Sequence, residues 1–174
     1  MATSEKVRFN YGKILVVFLL AWYFFRSIRT PNDYHFINGV NLVIHEAGHS
    51  LMMFFGEFLN ILGGSLNQVL IPLIFAVYFF RRRENFSGAI ILMWVGQSIV
   101  DVSHYAADAI VMQLPLLGGD SVVHDWNYLL SVTHLLNYTS TISTIIYGIG
   151  LLTFLAGVII AFVAVLDFHH QQEK

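Results

Sequence analysis

Residues 36–59 read FINGVNLVIHEAGHSLMMFFGEFL. The run is apolar enough for a membrane helix, yet it carries Asn38, Asn41, His45, Glu46, His49 and Glu57. Asn38, Asn41, His45 and His49 recur at helical spacing and fall on one stripe. Two His four residues apart on a helix point to the same side and can grip one metal ion. Glu46, between them, is the residue type that takes a proton from a metal-activated water. Ionisable groups are expensive in lipid and mark functional sites there. The stripe is therefore expected to face protein or a water-filled cavity. His45-Glu46-Ala47-Gly48-His49 is expected to support water chemistry inside a bilayer.

The composition agrees with that setting. Of 174 residues, 56% are hydrophobic and 11% charged, and the mean hydropathy is +0.66. Soluble domains carry about 25% charged residues. The expected fold class is all-α: a polytopic membrane helix bundle of about five transmembrane helices, with room for a re-entrant or interfacial segment. One integral membrane domain is expected over residues 1–174. A net charge of −2 gives no reason to expect nucleic acid as a partner. The absence of cysteine excludes disulfides and thiolate ligands, leaving His, Asp, Glu and water for any metal.

Working outward, residues 11–25 are apolar and aromatic. Arg26, Arg29 and Pro31 follow, rather than small residues suited to cleavage, so a retained first span is expected. Residues 63–68, GGSLNQ, look like a polar, glycine-rich break before a third span that ends at Arg81-Arg82-Arg83. Residues 86–112 form a fourth span of about 40 Å. On it Gln97, Asp101, His104, Tyr105 and Asp108 share a face. Residues 113–127 are a loop, residues 126–136 a short interfacial helix, residues 140–166 a last apolar span and residues 167–174 a polar tail, where His169 and His170 are read as solvated. With five spans, Lys6, Arg8 and Lys13 lie on one side of the membrane. Arg26, Arg29, Arg81, Arg82, Arg83 and Lys174 lie on the other. The positive-inside rule then puts the C-terminus in the cytoplasm and the N-terminus outside.

A catalytic zinc takes three protein ligands and a water, so the chain must add one to His45 and His49. If the second and fourth spans both start from the Arg-rich side, Asp101 matches the His pair best in depth, and His104 lies one turn deeper. His124 and Asp125 belong to the opposite side and reach the pair only if their loop folds inward. Asn41, Gln97, Ser98 and Asp108 are candidates to hold the second ring nitrogens of the His. Asn67, Gln68, Tyr105 and His124 are candidate donors to a developing oxyanion.

His45, Glu46, Gly48 and His49 match the HExGH pattern of the site-2 protease family of intramembrane zinc metalloproteases. The chain resembles a divergent, minimal member of that family over residues 36–112. The resemblance implies a core of the HExxH helix, a connecting helix and a helix carrying an Asp ligand, a position that Asp101 fits. The family's LDG motif is not present around Asp101. The resemblance also implies Zn2+ and a membrane-protein or peptide substrate. On these grounds the chain is expected to be a membrane-embedded zinc metallohydrolase, acting as an intramembrane peptidase, with Glu46 catalytic and membrane lipid around it. Two other readings stand beside it: a metal-dependent hydrolase of lipid esters or amides, and a non-enzymatic metal-handling or scaffold subunit.

Overall fold

The computed structural model describes residues 10–114 and 123–166. The N-terminal stretch with Lys6 and Arg8, the loop positions Gly118, Gly119 and Asp120, and the tail with His169, His170 and Lys174 lie outside the described residues. The described chain is helical: α1 (Tyr11–Arg29), α2 (Phe36–Met52), α3 (Glu57–Arg81), α4 (Asn85–Ala107), α5 (Asp125–Val132) and α6 (Thr139–Leu166). This is the expected all-α membrane bundle. Among the described residues, four segments are long and apolar enough to cross a bilayer: α1, α3, α4, and α6 with the 3-10 turn before it. Large apolar side chains such as Leu15, Phe18, Trp22, Phe75, Leu152 and Ile159 are exposed on the outside of the bundle. Asn41, Gln97 and Ser98 are buried inside it. That inversion suits a lipid surround, where polar side chains must find partners within the protein.

Helix directions follow from named contacts. The Lys13 ammonium lies 5.0 Å from the Phe86 ring at one end of α1, and Gln97 Nε2 donates to Ser27 Oγ at 3.1 Å near the other. α1 therefore runs parallel to α4. α3 runs antiparallel to α4, with Gly88 against Phe80 and Gln68 bonded to Asp101. So does α6, whose Gly150 and Gly157 back onto Val100 and Met93. α1 thus ends, and α3 begins, at the same end of the bundle.

The expected second span does not add a crossing. α2 has 17 residues and stops in a 3-10 turn at Met53–Phe55. Gly56, at φ 90°, then reverses the chain into α3, a conformation that glycine adopts without steric cost. The break expected at residues 63–68 is continuous helix instead. Gly63 and Gly64 serve packing there: a Cβ on Gly48 would strike the Gly63 carbonyl, so α2 and α3 meet backbone to backbone.

The arrangement also redraws the ends. Lys13, Arg83, Asn85 and Ala164 line one shared cavity, so the starts of α1 and α4 and the close of α6 lie together. Lys13 therefore belongs with Arg81–Arg83, and Arg26 and Arg29 lie at the opposite end, contrary to the five-span expectation. The reason is the parity of crossings, which changes once α2 returns to the end from which it came.

Candidate metal centre

α2 and α3 form a helical hairpin that displays both His toward one point. His45 and His49 lie one turn apart, with ring centroids separated by 4.9 Å. Gly64 of α3 sits directly behind them. A Cβ there would fall against Nε2 of both rings. Each ring is held through Nδ1. His49 Nδ1 is 2.9 Å from the Asn60 carbonyl oxygen, and Asn60 Nδ2 returns a bond to the His49 carbonyl at 2.8 Å. His45 Nδ1 is 3.1 Å from Gln68 Oε1. Both Nε2 atoms point at Asp125 Oδ2, at 2.9 Å from His45 and 3.3 Å from His49. His45, His49 and Asp125 form a group able to hold a metal ion. Ligand atoms on a tetrahedral zinc, at about 2.0–2.1 Å from it, stand roughly 3.3 Å apart.

Asp125 reaches the pair as the first residue of α5, which is bonded to α3 and to the end of α4. It opens α5, where an anion is favoured by the unpaired amides of the first turn. Its backbone N–H donates to the Tyr105 hydroxyl at 3.1 Å. Trp126 Nε1 donates to Ser65 Oγ at 3.1 Å, and Asn127 Nδ2 to the Ala109 carbonyl at 2.8 Å, fastening α5 to α3 and to the end of α4.

The expected third ligands lie elsewhere. Asp101 is not beside the His pair: Asn38 Nδ2, Asn41 Nδ2 and Gln68 Nε2 donate to it at 2.9, 3.3 and 2.8 Å. Matching by depth misplaces it because α2 does not run alongside α4 from the Arg-rich end. The helix begins near the opposite end, so Asp101 meets the first turn of α2 rather than the third. His104 turns toward α1 and α6, with a bond to the Ile28 backbone and its ring 6.0 Å from that of Tyr147. His124 caps α5. Its Nδ1 accepts from the Asn127 N–H at 3.3 Å and its Nε2 faces Asp108 at 3.3 Å, so neither nitrogen is free for a metal. Glu46 lies on the exposed side of α2, next in sequence to His45.

None of Asn41, Gln97, Ser98 and Asp108 holds a ring of the His pair. Gln68, expected as an oxyanion donor, takes that place at His45. Asn60 takes it at His49, and nothing in the sequence marks it, since a backbone carbonyl leaves no trace in the side-chain pattern. Comparison of the chain with family models, with curated proteins and with solved structures yields no match.

Proposed function

We propose that this protein is a membrane-embedded metallohydrolase acting on peptide bonds, with zinc held by His45, His49 and Asp125. One observation carries the reading. The Asn60 carbonyl can only accept, so His49 Nδ1 carries a proton, and the neutral ring then presents its lone pair at Nε2. Gln68 Oε1 imposes the same state on His45. With both rings neutral, two nitrogen lone pairs each stand within 3.3 Å of one carboxylate oxygen. Such a cluster repels itself unless a cation occupies its centre. Protonating both rings is the costly alternative, because it sets two imidazolium ions side by side in a mostly buried place.

A zinc ion bound there supplies a water acidified enough to act as a nucleophile near neutral pH. Glu46 takes the proton from that water and later gives it to the leaving amine. The HExGH pattern supports a peptidase in particular, with Asp125 in place of an Asp on a third core helix. Following the positive-inside rule, the end with Lys13 and Arg81–Arg83 faces the cytoplasm. The site then lies between the bilayer centre and the opposite surface, since Gln68 stands about 20 Å along α3 from Arg81.

The test is metal content and hydrolysis measured together on purified protein in detergent. Wild type is expected to hold about one zinc per chain and to cleave a labelled transmembrane peptide. Glu46→Gln is expected to keep the metal and lose at least about a hundredfold in rate. Wild-type protein without zinc would sink the reading. Cleavage of a long-chain lipid ester but not of the peptide would keep the site and replace the substrate.

A further inference from the structure

Asp101 sits at the end of a chain of polar groups whose donor and acceptor directions follow from one donor-only group. It begins at Trp94. An indole N–H can only donate, and Trp94 Nε1 lies 2.9 Å from Asn41 Oδ1, with Ser98 Oγ also donating to that oxygen at 3.2 Å. Asn41 must therefore turn its Nδ2 the other way, toward Gln97 Oε1 at 2.9 Å and Asp101 Oδ2 at 3.3 Å. Asn38 Nδ2 occupies the second Asp101 oxygen at 2.9 Å. Asp101 Oδ2 then takes Gln68 Nε2 at 2.8 Å. With its amide nitrogen committed, Gln68 can present only its oxygen to His45, 3.1 Å from Nδ1.

We infer that Asp101, through Gln68, locks His45 in the Nδ1–H tautomer and so keeps its Nε2 lone pair aimed at the metal position. Asp101 is a positioning residue, one step behind the ligand, and its role rests on the metal site proposed above. A glutamine amide is symmetric in shape, so packing alone holds either orientation. In the wrong one Gln68 would donate to His45 Nδ1, place the proton on Nε2 and close the ligand. An acceptor-only carboxylate at position 101 excludes that state. His49 needs no such device, because a backbone carbonyl cannot turn over.

The experiment is zinc affinity, measured by chelator competition on folded, detergent-purified protein. Asp101→Asn offers a single acceptor oxygen and releases Gln68, with affinity expected to fall about 10- to 100-fold. Gln68→Glu in the Asp101→Asn background is the rescue. The carboxylate introduced at position 68 accepts from His45 with either oxygen, and the amide introduced at position 101 donates to the other. Affinity is then expected to return to within a few-fold of wild type. Unchanged affinity in Asp101→Asn overturns the inference. So does a loss that the added Gln68→Glu fails to restore, the result expected of a direct ligand or of a merely structural carboxylate. The 15N spectrum of histidine-labelled, metal-free wild type reads the tautomer without any variant. A protonated Nε2 on His45 overturns the lock even if Asp101→Asn does not fold. Wild type that binds no zinc refutes the site, while the tautomer spectrum still decides the lock.

Discussion

His45 Nε2 and Asp125 Oδ2 stand 2.9 Å apart across 80 residues of sequence, and His49 Nε2 stands 3.3 Å from the same oxygen. The other ring nitrogen of each His, Nδ1, turns its proton outward to an acceptor. In the metal site proposed above, a cation between these atoms takes the place of a hydrogen bond.

Asp125→Ala is expected to remove zinc from the purified protein, with affinity falling by at least about a hundredfold, since two ligands alone do not make a closed site. His104→Ala, on the α1 and α6 side, is expected to retain it. His124→Ala removes the α5 cap and costs about 1 kcal/mol of stability, with zinc still bound. Metal analysis and thermal unfolding of the three variants separate these outcomes. Retention of zinc by Asp125→Ala would rule that carboxylate out as the third ligand.

Gly64→Ala tests the space behind the rings. Helix propensity alone favours alanine by about 1 kcal/mol. The added methyl, however, would lie against Nε2 of both His45 and His49. The expected outcome is a folded protein of near wild-type helicity by circular dichroism that has lost zinc and hydrolysis. A variant that binds zinc normally would mean that the rings have room to retreat.

Asp108 closes α4 and carries a pH signature. Burial pushes its carboxyl up, but the backbone N–H groups of Gln113 and Leu114, at 3.0 and 2.9 Å, and then His124, bring it below the usual range. A folded value below the unfolded one, about 3.9, means that the stabilisation is complete well above that value. It is lost as pH falls through the folded value. Thermal midpoints of wild type and Asp108→Asn should therefore differ near neutral pH and converge on acidification below about pH 4. A gap that stays constant with pH would show that Asp108 acts without its charge.

The parity of crossings can be read with single cysteines, because the chain has none of its own. Lys13→Cys and Arg83→Cys are expected to react with an impermeant maleimide from one face of the membrane, and Asp33→Cys from the other. Labelling of Lys13→Cys and Arg83→Cys from opposite faces would restore five crossings.

Much of this protein is legible in its sequence. Apolar runs bounded by Arg81–Arg83, Asn85 and Pro31 set the first, fourth and last membrane helices to within a few residues, because lipid forces backbone polar groups to pair within each segment, while the start of α3 at Glu57 was hidden by the polar residues at 63–68. His45, Glu46 and His49 stand out for a related reason: a local helical spacing of groups that lipid makes expensive. The polar stripe marks Asp101 in the same way, but a stripe does not say which residue it meets.

What the tertiary structure alone decided is the partner of each group. Whether α2 crosses or returns depends on Gly56 and on the Gly48–Gly63 contact, and local periodicity is the same in both cases. That choice set the depth of α2 against α4 and placed Asp101 on the amide of Gln68 rather than beside the His pair. It also brought Asp125 in through α5, fastened by Tyr105, Ser65 and Ala109. Those fastenings join residues far apart in the chain, so no sequence window contains them. Sequence determined which residues lipid could not tolerate alone; folding determined which of them were placed together.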